Sequence, residues 1–102
     1  MDQRTPPEQI LRYISQLKSS YSDLRKVYIF GSFAKGSSRQ DSDIDMAMVF
    51  DDVTDTFDRQ VQLMKLRRNY DSRIEPHVFR LADFNISHPL AAEIMSTGIE
   101  VS

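Results

Sequence analysis

Apolar positions along this chain recur with two rhythms, and the rhythm changes at each predicted element. Ile10, Ile14, Leu17 and Tyr21 fall three or four residues apart, and Leu11 widens the stripe. That spacing predicts an amphipathic helix over residues 6–20. Thr5-Pro6-Pro7-Glu8 reads as its start, with Thr5 as N-cap, Pro6 in the first turn and Glu8 closing a capping box. Val27-Tyr28-Ile29-Phe30 is a short β-branched and aromatic run ending at Gly31, the pattern of a buried strand. Ser32 to Lys35 reads as one helical turn closed by Gly36, and Ser37 to Ser42 reads as a polar loop.

A second strand is predicted over 44–50. Asp51 to Asp55 is a polar turn, with Thr54 or Asp55 as the cap of the next helix. Phe57, Val61 and Met64 carry that helix to about Asn69, and Phe57, Met64 and Leu66 are read as core. Residues 73–81 predict a third strand. Pro76 interrupts it, and because proline cannot donate to a ladder, the strand belongs at an edge or pairs on one side only. A last helix is predicted over 89–96, ended by Gly98, with Ile99-Glu100-Val101 trailing off. His88, before Pro89, reads as a loop residue. No repeat or linker is visible, so the expectation is one α/β (α+β) domain, a small mixed sheet flanked by helices, over residues 1–102.

Composition narrows the classes of function. Of the 102 residues, 40% are hydrophobic and 27% charged, which fits a folded globular chain. Cysteine is absent, so disulfides and thiolate metal sites are excluded; the expectation is a cytoplasmic protein. No signal-peptide stretch or run of membrane-spanning length is present. Thirteen basic residues against fifteen acidic give a net charge of −2. The basic residues are scattered apart from Lys65, Arg67 and Arg68, which suit the negative end of a helix dipole. Extended nucleic acid is therefore not the expected substrate, whereas a nucleotide needs only a few local cations.

The candidate chemistry lies between the first two strands. Asp43 and Asp45 are two positions apart, so strand alternation would aim both carboxylates one way and send Ile44 and Met46 into the core. Adjacent carboxylates repel unless a positive charge sits between them. A pair of Mg²⁺ ions would supply it, since Mg²⁺ takes oxygen ligands from one or two carboxylates plus substrate phosphates. Ten residues upstream, Gly31-Ser32 ends a strand and opens a turn, where backbone N–H groups and a hydroxyl can bind phosphate. Alone, Asp-Ser-Asp-Ile-Asp would be a solvated strand start; beside Gly31-Ser32 it is a metal site next to a phosphate cradle.

Phe30-Gly31-Ser32, a ten-residue gap and Asp43-Ile44-Asp45-Met46 resemble the signature of the polymerase-beta-like nucleotidyltransferases. The wording Gly-Ser-Phe-Ala-Lys-Gly and Ser-Asp-Ile-Asp is similar to the minimal nucleotidyltransferases, and Arg73-Ile74-Glu75-Pro76-His77 and Ser96-Thr97-Gly98-Ile99 extend the likeness. The resemblance implies that fold, with Asp43 and Asp45 holding two Mg²⁺ (or Mn²⁺) ions. Gly31 and Ser32 would contact a nucleoside triphosphate, assisted by Ser42. It also implies a third carboxylate on a neighbouring strand, matched by Glu75, although Asp is more usual there; Asp71 is the alternative if the register slips. Lys35 stands where the family has a basic residue, with a solvated loop cation as the equal alternative; for Arg39 the solvated reading is preferred. His77 shares a face with Glu75 and is read as a hydrogen-bonded structural residue.

The same resemblance implies transfer of AMP from ATP to a hydroxyl of a partner protein, in the manner of antitoxins paired with a HEPN-family toxin. Two rivals remain: transfer to a small molecule such as an aminoglycoside, and a catalytically silent module that neutralises its partner by contact. The intact Gly31-Ser32 and Asp43/Asp45 pair argues against the silent module.

Overall fold

The computed structural model describes residues 6–36 and 42–102. Its elements are α1 (Glu8–Ser20), β1 (Leu24–Phe30), β2 (Ile44–Phe50), α2 (Thr56–Leu66), β3 (Ile74–Arg80), α3 (Pro89–Thr97) and β4 (Ile99–Glu100), with single 3₁₀ turns at Arg67–Asn69 and Leu81–Asp83. The strands form one mixed sheet in the order β3-β2-β1-β4. β1 runs antiparallel to β2 and to β4, whereas β2 and β3 are parallel. Helices cover both faces, so the expected mixed sheet flanked by helices is the architecture found.

Strand alternation sorts the core into two layers. Val27, Ile29, Ile44, Met46, Met48, Phe50 and Ile74 turn to one face, where Ile10, Tyr13, Ile14 and Leu17 of α1 and Leu63 of α2 close over them. Tyr28, Phe30, Ala47, Val49 and Phe79 turn to the other, against Ala91 and Ile94 of α3. Burying a large apolar side chain is worth about 1.5–3 kcal/mol, and β2 is buried along its length except at Asp45.

Several expectations about the helices need correction. α1 starts at Glu8 with Pro7 as its N-cap and no side-chain cap; the Pro7 carbonyl accepts from Ile10 and Leu11 instead. Thr5 lies outside the described residues, and Glu8 pairs with Arg12 on the helix surface. Leu11 is exposed, while Tyr13 completes the buried stripe. In α2, Asp55 caps the helix as expected, accepting from Asp58 N–H at 3.0 Å. Phe57, however, is 77% exposed, Met64 and Leu66 are only partly buried, and Leu63 is the buried residue.

Counting apolar residues misplaces the inward face of α2 because two of its members are polar. The Arg59 guanidinium lies over the rings of Tyr21 and Phe50, 4.4 Å from each centroid. Gln60 reaches the edge strand, donating to the Pro76 carbonyl and accepting from Val78 N–H. Pro76 does sit on an edge strand, as its missing N–H requires. Arg67, read as one of three cations at a helix end, donates to the Ile74 carbonyl at 2.7 Å. That same edge is thereby covered, which blunts its tendency to pair with another chain.

Two C-terminal expectations also change. His88 is the N-cap of α3, accepting from Ala91 N–H through Nδ1. Ile99 and Glu100 do not trail off; they form β4 opposite Ile29 and Tyr28.

Tyr13 ties α1 to α2 by donating its hydroxyl to the Leu63 carbonyl at 2.9 Å. Burial pushes this phenol well above the usual tyrosine range. Below about pH 10 the folded and unfolded chains both hold the proton, and above it the unfolded chain gives the proton up first. Stability should therefore fall as pH rises past that point. Tyr13→Phe should cost about 1 kcal/mol at pH 7 and flatten the alkaline decline, as urea unfolding of both proteins from pH 7 to 10.5 would show.

Candidate nucleotide and metal site

The site is built where the C-terminal end of β1 meets the N-terminal end of β2. β1 ends at Phe30, and the chain turns through Gly31 at φ +74°, a conformation that side chains resist. Lys35 N–H then bonds back to the Gly31 carbonyl at 3.2 Å, and Gly36 N–H to the Phe33 carbonyl at 3.1 Å. The expected helical turn is thus a compact hydrogen-bonded turn, closed by Gly36 in the same left-handed conformation. Phe33 and Ala34 anchor it by burial, while Ser32 is half-buried and Lys35 exposed.

A second reason for glycine at position 31 comes from the facing strand. Phe30 is the register partner of Asp45. A Cβ built on Gly31 would fall 2.4 Å from Asp45 Oδ2, closer than any van der Waals contact allows. The two halves of the motif, separated by ten residues, are therefore in direct contact: a carboxylate occupies the space a side chain would take.

The third carboxylate lies on the other side of Asp45. β2 and β3 pair so that Asp45 faces Glu75, and the register is pinned where Ile44 N–H donates to the Arg73 carbonyl at 2.8 Å. Glu75, His77 and Phe79 share the sheet face of Asp45, Ala47 and Val49. Asp71, the alternative, stands before β3 and outside the register that sets Glu75 against Asp45. Its carboxylate accepts from Arg73 Nη2 at 2.7 Å and from Arg73 N–H at 2.9 Å, and these bonds hold it below the usual carboxylate range.

Asp43 departs from the expected pattern in one respect. β2 begins at Ile44, so Asp43 stands one residue before the strand and is exposed. Strand alternation fixes the direction of Asp45 but does not extend to Asp43. Ser42 is half-buried beside it, and residues 37–41, Arg39 included, lie outside the described residues.

Each of the paired carboxylates has a basic neighbour. His77 Nε2 lies 3.4 Å from Asp45 Oδ1, and Arg67 Nη1 lies 3.5 Å from Glu75 Oε2. Among the described residues no three histidine, aspartate or glutamate side chains converge as a ready-made metal cluster. The donor chemistry still fits a hard cation. Mg²⁺ is held by one or two carboxylates, with water and phosphate oxygens completing its shell, and Asp45, with Asp43 two residues before it in sequence, offers that number. Arg67 carried no sequence signal as a partner of Glu75, since their contact depends on how α2 crosses the sheet edge. His77 did carry one, through its two-residue spacing from Glu75.

Gly31→Ala should lower the unfolding free energy by about 1–2 kcal/mol from the left-handed backbone alone, and the Asp45 carboxylate must turn aside to admit the Cβ. Urea unfolding of the variant measures it. A variant as stable as the parent would contradict the left-handed turn at Gly31.

Comparisons with known proteins bear on the family and the fold that carry this site. The polymerase beta nucleotidyltransferase family model matches residues 12–102. The protein adenylyltransferase MntA of Shewanella oneidensis is 31% identical over 64 residues, which are 63% of this chain and 46% of that protein. The chain thus spans about half the length of this curated relative. Among solved structures, a Sulfolobus solfataricus protein assigned as a nucleotidyltransferase superposes with a TM-score of 0.63 at 27% identity, covering 74% of this chain and 68% of its own. A mutant MntA toxin–antitoxin complex gives 0.66 at 25% identity, over 96% of this chain and 73% of that one. The family model covers about nine-tenths of the sequence, turn and carboxylate strand included, and the chain belongs to the polymerase beta nucleotidyltransferase family.

Proposed function

We propose that residues 1–102 act as a single nucleotidyltransferase domain that moves AMP from ATP to a hydroxyl of a partner protein, as the antitoxin of a HEPN-family toxin in the cytoplasm. The observation that carries the reading is the position of Asp45, against the Gly31 turn on one side and in register with Glu75 on the other. The similarity to an adenylyltransferase and to a chain from a toxin–antitoxin complex supports the acceptor and the partner. No helix among the described residues is long and apolar enough to cross a membrane.

In this reading the Gly31-Ser32 turn holds the triphosphate through backbone N–H groups and the hydroxyl, with Ser42 and exposed Lys35 adding contacts and charge. Asp43 and Asp45 would hold Mg²⁺ or Mn²⁺. Such ions offset phosphate charge and lower the pKa of the attacking hydroxyl. The acceptor oxygen forms a bond to the α-phosphorus, the bond from that phosphorus to the bridging oxygen breaks, and pyrophosphate leaves. Glu75 accepts the hydroxyl proton or contributes a metal ligand, with Arg67 near its Oε2. Positioning and charge stabilisation provide most of such catalysis, so few side chains suffice.

The test is incubation with α-labelled ATP and Mg²⁺, with and without the protein encoded next to this one. Label should appear on the partner, and Asp43→Asn with Asp45→Asn should reduce it by at least about 10²–10³-fold. Label on an added aminoglycoside instead would move the acceptor to a small molecule. A stable inhibitory complex with no transfer would leave a binding module and contradict the enzymatic reading.

A further inference from the structure

His77 has two fixed contacts, and both belong to the motif. Its register partner on β2 is Ala47, a small and fully buried residue. With so little bulk on β2 between β3 and β1, the imidazole reaches a neighbour on each of β2 and β1. Nε2 reaches Asp45 Oδ1 at 3.4 Å, and the ring packs on Phe30 of β1 with centroids 5.1 Å apart. Phe30 is both the register partner of Asp45 and the residue before Gly31.

The contacts divide the Asp45 carboxylate between two neighbours. Oδ1 faces His77, and Oδ2 lies against Gly31, where the backbone is open. The histidine side chain is about a third exposed, at 34%, so its hydrogen bond lies at the rim of the site rather than in the core. Hydrogen bonds to a metal-ligating side chain fix its orientation and basicity.

We propose that His77 is a positioning residue for Asp45. With its proton on Nε2, it donates to Oδ1 and holds the carboxylate so that Oδ2 stays at the Gly31 turn, where metal and phosphate would meet. Phe30 keeps the ring in place, and the small side chain of Ala47 makes the reach possible. This inference rests on the reading of Asp45 as a metal ligand.

The test measures free Mn²⁺ by electron paramagnetic resonance, in the presence of a non-hydrolysable ATP analogue, for the parent and for His77→Phe, His77→Gln, Asp45→Asn and the double variant His77→Phe/Asp45→Asn. His77→Phe keeps a ring on Phe30 but removes the donor, and His77→Gln returns a donor near the Nε2 position. His77→Phe should weaken Mn²⁺ binding by about 10–100-fold, and His77→Gln should recover most of the loss. In the Asp45→Asn background, His77→Phe should change nothing further. Should the added bulk of phenylalanine prevent folding, His77→Ala carries the same comparison. Parent-like affinity in the donor-less variants, or no recovery with glutamine, would overturn the role of His77 while leaving Asp45 as a ligand. Parent protein that binds Mn²⁺ no better than Asp45→Asn would overturn the underlying reading itself.

Discussion

The carboxylate of Asp45 occupies the space that a side chain at position 31 would need. Everything distinctive about the site depends on that close approach. The antiparallel pairing of β1 with β2 sets Phe30 opposite Asp45 and carries the chain into a left-handed turn at Gly31. Any residue with a Cβ would meet both a conformational penalty and a collision with Oδ2. The absence of a side chain leaves backbone and carboxylate facing the same space, as a site for phosphate and its counter-ion requires.

The rest of the fold serves to keep that pairing in register. A one-residue slip of β2 would send Asp45 into the α1 layer and bring Ile44 or Met46 to the site. The slip is opposed by the two-layer core, in which β2 presents Met46, Met48 and Phe50 to one side and Ala47 and Val49 to the other. At the far edge, Gln60 and Arg67 hold β3 through Pro76, Val78 and Ile74. Glu75 is thereby kept beside Asp45, although β3 has a neighbouring strand on only one side.

Legibility in the sequence followed the kind of force involved. β2 was readable, because Met46 to Phe50 form an unbroken apolar run of the kind a buried strand shows. So was the edge position of β3, because Pro76 lacks a donor. Asp55 and Gly36 announced their local roles through their own chemistry. The inward face of α2 was not readable, because Arg59 and Gln60 are drawn to it, half-buried, by ring stacking and hydrogen bonds rather than by apolarity. β4 was too short for periodicity to reveal, and its pairing depends on α3 returning the chain to β1. In the candidate site, spacing singled out Asp45 and Gly31, but their mutual contact was not legible. Asp43 and Glu75 were legible as residue types. That the strand starts after Asp43, and that Arg67 stands beside Glu75, follows from tertiary placement that no local pattern encodes.

The central claim is that Asp45 and the Gly31-Ser32 turn are two sides of one metal and phosphate site. Crystals grown with Mn²⁺ and a non-hydrolysable ATP analogue, measured at a wavelength where manganese scatters anomalously, test it most directly. The account predicts an anomalous peak bonded to Asp45 and Asp43, with the triphosphate lying on the Gly31-Ser32 turn. Manganese and nucleotide bound elsewhere, with Asp45 still closed on His77 and Gly31, would contradict it.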